Sequence, residues 1–200
     1  MAMLLTDEQN MLRDSARSFL QGSAPIDQLR RLRDDASSDG YDRSTWRSMV
    51  ELGWAGVLIP EEHGGVAMGH VAAGVIAEEM GRTLTASPFL STAVMGAVAI
   101  ANNCSASQRA HWLPTIADGS INVAVAVDEY RSHSPTLVST TVESSGRGFR
   151  ISGSKSFVAD GHVADLILVS GRTSGDDKDD NGISLFLVPR DSAGITICLL

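Results

Sequence analysis

The chain has 200 residues, 43% hydrophobic and 20% charged, with a mean hydropathy of +0.03. These values exclude a disordered polymer and allow one sizeable core or two small ones. A net charge of −8, with Lys155 and Lys178 the only lysines, leaves no basic stripe for nucleic acid, and no apolar run approaches the roughly 20 residues of a membrane-spanning helix.

The first half punctuates as helices. Thr6 followed by Gln9 makes a capping box, after which Leu12, Ala16, Phe19 and Leu20 fall on one helical face, with Gly22 and Pro25 ending the element. A second helix is predicted over Ser44 to Leu52, stopped by Gly53; Pro60 breaks the apolar stretch that follows, and Gly64 and Gly65 form a turn. A third helix spans His70 to Met80, with Gly81 as its left-handed terminal residue. Ser87 and Pro88 begin a nearly all-apolar, buried helix over Phe89 to Ile100, and Ser105 with Gln108 caps the helix that carries Trp112 and Leu113.

Near Gly119 the period changes. Val123, Val125 and Val127 alternate with small residues, Leu137 to Glu143 is rich in Thr and Val, and Gly146 and Gly148 flank a tight turn into Phe149 to Ser152. Leu166 to Val169 and Ile183 to Val188 have the character of buried strands, and Gly194 to Leu200 begins another. The fold class is therefore multi-domain α+β, an all-α domain over 1–118 followed by a β-domain over 119–200. The apolar final stretch predicts continuation in a longer protein or pairing with a partner element. Asp176, Asp177, Asp179 and Asp180 read as a solvated loop.

Generic chemical motifs are absent: no phosphate loop, no dinucleotide turn, no nucleophile elbow. No two of the five histidines are spaced as a metal pair, so no metal site is expected. Glu78 and Glu79 are adjacent in a helix and point in different directions, one solvated and one packed. Asp128 and Glu129 stand at a strand end, where an acid–base role and a plain loop start are equally consistent. Cys104 and Cys198 lack metal or redox spacing, and the N-terminus has neither secretory nor transit character, so a cytoplasmic protein is expected.

Six segments in order resemble the acyl-CoA dehydrogenase family: LTDEQNMLRDSARSFL (5–20), WRSMVELGWAGVLIPEEHGG (46–65), VIAEEMGR (75–82), WLPTIADGSINVAVAV (112–127), ISGSKSFVADGHVADLILVSGR (151–172) and GISLFLVPRDSAGI (182–195). The resemblance implies a helical N-terminal domain and a β-barrel-like middle domain, truncated here, with the C-terminal four-helix domain absent. It implies FAD as cofactor, an acyl-CoA thioester as substrate, electron-transfer flavoprotein as acceptor and a dimeric or tetrameric assembly. In the family a glutamate takes the α proton while the β hydrogen leaves as hydride to the flavin. That base belongs to the C-terminal domain, so no catalytic residue is assigned.

The family's flavin wall carries a "TEP–GSD" stretch and a "W/F-x-T" element. The resemblance implies that Val127 stands at the first Thr, Asp128 at the Glu, Ser132 and His133 at the Gly-Ser pair, and Phe157 and Ala159 at the aromatic and the second Thr. The implied cofactor-binding set is thus Ala126, Val127, Asp128, His133, Phe157 and Ala159, with backbone amides near Ala126 to Asp128 still able to donate. Two or three hydroxyl bonds are missing, each contributing about 0.5–1.5 kcal/mol. The readings that follow are an FAD-dependent acyl-CoA dehydrogenase seen in part, a non-catalytic subunit partnering an active homologue, or a flavin monooxygenase or oxidase on the same scaffold.

Overall fold

A computed structural model describes residues 4–35, 39–146 and 148–199. The chain separates into two compact units, residues 1–120 and 121–200. Helices fill the first and strands the second, the segregation that the change of period implies.

In the helical unit, α1 (Asp7–Ser23) begins at Thr6, whose side chain accepts from the Gln9 N–H while the Gln9 side chain returns the bond to the Thr6 N–H. Ala16 and Leu20 on its apolar stripe are fully buried, a leucine so placed contributing about 1.5–3 kcal/mol. They pack with α4 (Gly69–Thr83), which buries Ala72, Ala73, Val75, Ile76 and Glu79. Between them in the sequence come α2 (Ile26–Asp34) and α3 (Arg43–Glu51). The side chain of Asp42 caps α3 by accepting from the Thr45 N–H at 2.7 Å, and Gly53 stops it at φ +80°. A chain reversal after Pro60 lays residues 65–68 back along 56–60, with N–H bonds from Val66 to Gly56 O and from Ala67 to Ile59 O. A Cβ at Gly65 would lie 2.0 Å from Ile59 O, so the reversal requires glycine. Trp54 is buried, its ring edge-on to Phe19 at 5.5 Å.

Several expectations are corrected here. The α2 helix, not among the expected elements, carries Ile26, Leu29 and Leu32 along one face but buries none of its residues. The third predicted helix runs past Gly81 to Thr83, and Leu84 takes the left-handed conformation at φ +52°. The Leu84 and Thr85 N–H groups there satisfy the Gly81 and Met80 carbonyls. The expected helix over Phe89 to Ile100 is a π-helical segment, Phe89–Gly96, continuing into α5 (Ala97–Asn103). Its burial is one-sided, because Leu90 and Met95 are exposed. The capping box at Ser105 and Gln108 opens α6 (Ala106–Ala117) as expected.

In the β-unit the described strands form an open mixed sheet. Its central strand is β4 (Leu166–Arg172), buried along most of its length. β1 (Val123–Ala126) runs parallel to its first half, Val123 opposite Leu166 through Ala126 opposite Val169. β2 (Thr141–Ser145) joins it only at Arg172 and forms a hairpin with β3 (Gly148–Ser152); the turn residue Arg147 lies outside the described residues. β5 (Ile183–Pro189) pairs antiparallel along the other edge of β4. A core of Ala124, Ala126, Ala164 and Ile167 gathers Val158, Val169 and Ile197 against it. The strand expected from Gly194 is absent among the described residues: 195–199 are irregular, with Ile197 contributing burial but no ladder. Among the described residues no helix is long and apolar enough to cross a membrane.

Candidate functional site

Because β1 ends at Ala126 and β2 starts at Thr141, a long loop leaves the sheet between them, beside Ser170 and Gly171 of β4. At that gap Lys155 enters. Its Nζ donates to the Glu129 carboxylate at 2.6 Å, to Ser170 Oγ at 2.8 Å and to Val127 O at 3.3 Å, so its three donors meet three acceptors. The side chains of Lys155 and Glu129 are only 8% and 7% exposed. Glu129 also accepts from the N–H groups of Ser139 and Thr140, at 2.8 and 3.0 Å. Burial pushes the Glu129 carboxyl up, but Lys155 and those amides outweigh it and hold the carboxyl below its ordinary value.

Asp128 is turned the other way. Its Oδ2 lies 2.9 Å from His133 Nδ1 and its Oδ1 accepts from the Ser134 N–H. The His133 bond, then the Ser134 amide, lower its carboxyl. The Asp128 carbonyl accepts from the Ser156 N–H at 2.8 Å, which ties the segment before Phe157 to the end of β1. Phe157 is 63% exposed with φ +54°. Non-glycine residues in strained backbone conformations cluster at active sites and ligand clamps.

Of the six residues that the sequence places at a cofactor wall, Ala126 is buried against Val158 in the β-core, and Val127, Asp128 and Phe157 are drawn together by Lys155 and by the Ser156 bond. His133 joins them through Asp128. Ala159 is exposed in the turn that follows Val158. Sequence reasoning assigned no role to Lys155, Ser170 or Arg172, although a lysine in a chain with only two and an arginine closing an apolar strand were visible signals. Arg172 is buried, and its guanidinium donates to six backbone carbonyls, those of Thr136, Val138, Ser174, Asp177, Asp179 and Asn181. The aspartate-rich stretch thus wraps a buried cation through its backbone while its side chains stay exposed.

In the helical unit a groove of about 480 Å³ lies between α4 and the π-helical segment, lined by Ala73, Gly74, Ala77, Met80, Leu90 and Val94 among others. Its lining is largely apolar, and Gly74 and Gly81 leave it open because no side chain fills the space at either. Among the described residues no group of three or more His, Cys, Asp or Glu could hold a metal.

The N-terminal domain model of acyl-CoA dehydrogenases matches residues 6–120, and the middle domain model matches residues 124–199. The acyl-CoA dehydrogenase FadE12 of Mycobacterium tuberculosis is 32% identical over 166 residues, covering 82% of this chain and 42% of that protein. Among solved structures, the Tcur3481-Tcur3483 steroid acyl-CoA dehydrogenase, in a variant form, superposes with a TM-score of 0.81 at 34% identity, covering 94% of this chain and 49% of that one. The ChsE4-ChsE5 complex of Mycobacterium tuberculosis superposes with a TM-score of 0.85 at 26% identity, covering 100% and 52%. The chain spans about half the length of these relatives, in the order of their first two domains, and it belongs to the acyl-CoA dehydrogenase family.

Proposed function

We propose that this chain supplies the helical and flavin-facing parts of an FAD-dependent acyl-CoA dehydrogenase that oxidises an acyl-CoA thioester between its α and β carbons. The observation that carries the reading is the exposed Phe157 ring, held at positive φ beside Val127 and Asp128, in a chain whose two family domains stand in order. The residues present fit a planar aromatic cofactor. Phe157 offers a face for stacking, backbone groups at Ala126 to Asp128 border it, and His133, oriented by Asp128, offers its second ring nitrogen. Val127 and Ala159 contribute shape without hydroxyls. FAD, when bound, supplies the hydride acceptor.

The rest of the reading concerns the chain's own residues. Lys155 and Glu129 hold the flavin-facing segments in place. The apolar groove along α4 has the volume of a small-molecule site and suits the acyl end of the substrate. Electron-transfer flavoprotein is the proposed acceptor, the assembly is a homo- or hetero-oligomer, and the compartment is the cytoplasm.

A second reading is favoured by one specific observation: Val127 and Ala159 lack hydroxyls, and the Asp128 carboxylate is already engaged by His133 and Ser134. On it, the protein is a subunit that leaves flavin chemistry to a homologous partner. Two relatives whose names join two components, Tcur3481-Tcur3483 and ChsE4-ChsE5, support it. The visible spectrum of the full-length protein discriminates. Near-stoichiometric flavin absorbance, bleached by acyl-CoA without oxygen, supports the first reading. A colourless protein that co-purifies with a flavin-bearing homologue supports the second, and oxygen consumption in turnover identifies an oxidase or monooxygenase.

A further inference from the structure

The loop that follows Asp128 and carries His133 is closed at its base. Glu129 opens it, and the same carboxylate accepts from the N–H groups of Ser139 and Thr140 at its far end. Tyr130 and Ser139 join across the base through their hydroxyls at 2.8 Å. Two acceptors on one buried carboxylate thus span ten residues of chain, and the carboxylate is itself fixed by Lys155, whose other two bonds reach Val127 O and Ser170 Oγ. The far end is held on its carbonyl side as well, because Arg172 donates to Thr136 O and Val138 O.

We propose that Glu129 and Lys155 form a positioning pair that sets the shape of loop 129–139 and thereby the placement of Asp128 and His133 at the cofactor wall. The proposal rests on the flavin reading above and assigns neither residue to the chemistry. Its geometry makes the two partners unequal. A lysine donates only, so a lysine at position 129 cannot accept the Ser139 and Thr140 amides. Exchanging the two residues therefore preserves a charge pair and abolishes loop closure.

The test uses the full-length protein and its Glu129→Gln, Lys155→Met and Lys155→Arg variants, with the double exchange Glu129→Lys/Lys155→Glu. Amide hydrogen exchange is followed in peptides spanning 130–138 and 166–172, and FAD affinity by fluorescence quenching. Glu129→Gln, Lys155→Met and the double exchange are expected to speed loop exchange and weaken FAD binding by at least about tenfold, with 166–172 still protected, while Lys155→Arg keeps most of both. Unchanged loop exchange in Glu129→Gln overturns the proposal. So does recovery in the double exchange, which would reduce the pair to a charge contact, and so does loss of protection throughout the β-unit, which would make it a general stabiliser. Wild-type protein that takes up no FAD overturns the flavin reading alone, and the exchange data still decide loop closure.

Discussion

Arg17 on α1 grips Glu79 on α4 with two hydrogen bonds, Nε to Oε2 at 2.9 Å and Nη2 to Oε1 at 2.8 Å, and the Glu79 side chain is 1% exposed. Arg82 adds a third contact at 3.2 Å, whereas neighbouring Glu78 points to solvent. Removing only the arginine's head leaves a buried carboxylate with the single, longer Arg82 contact, and removing both partners leaves no buried charge. Arg17→Met is therefore expected to lower the thermal midpoint more than Arg17→Met/Glu79→Leu does. Thermal denaturation of the two variants checks the order; equal losses would mean that the pair contributes only packing.

Four carboxyls are held below their ordinary values in the folded chain. Arg17 lowers Glu79, the Ser44 hydroxyl and then the Thr45 amide lower Asp42, His133 lowers Asp128, and Glu129 is lowered despite its burial. A group depressed on folding contributes stability above its unfolded pKa, about 4 for these side chains, and loses it as pH falls through the folded value. Stability should be level from about pH 7 to about pH 5 and decline below, with a shallower decline in Glu129→Gln. Urea midpoints across that range measure it; stability that rises on acidification contradicts the assignment.

Arg172 joins two loops through one side chain. Its loss would take a donor from six carbonyls of residues 136–138 and 174–181, of which Asp177 O keeps the Val138 N–H, and would leave a void at a buried position. Arg172→Met is expected to destabilise the fold by about 3 kcal/mol or more. It should also release the aspartate-rich loop, whose backbone can then fit a protease, and so speed tryptic cleavage after the already exposed Lys178. Urea denaturation reads the first effect and the rate of cleavage after Lys178 reads the second. A variant cut no faster than wild type would show that the loop holds its own shape.

Both capping boxes were legible because the reciprocal bonds lie within four residues, and β4 was legible because an apolar run bounded by polar residues has one good home in a sheet; β5 forms where its apolar run stands, but none of its residues is buried. What escaped was set by tertiary partners. The stretch Ile26–Asp34 carries Ile26, Leu29 and Leu32 on one face but is short and otherwise charged, so α2 is announced only weakly, and Gly81 stays helical because the turn beyond it caps the helix at Leu84. The six wall positions came from motif order alone. Their organiser did not, because Lys155 meets Glu129 across 26 positions and Ser170 across 15, separations on which local periodicity is silent.

If Val127 and Ala159 stand where flavin-bonding hydroxyls are expected, restoring the hydroxyls should restore affinity. Ala159 is exposed and Val127 half-buried, so threonine can enter at both positions without displacing the buried β-core. Each recovered bond is worth about 0.5–1.5 kcal/mol, or roughly two- to tenfold in Kd. Val127→Thr/Ala159→Thr should therefore tighten FAD binding by as much as about a hundredfold if the two add. Fluorescence quenching of FAD by the full-length variants, at matched thermal midpoints, measures the gain. Tighter binding from Ala159→Thr alone would assign that position to the cofactor wall and leave Val127 as a backbone contact, consistent with its carbonyl serving Lys155 and Ser170. No gain at either position would remove both from the wall and favour the subunit that leaves flavin to its partner.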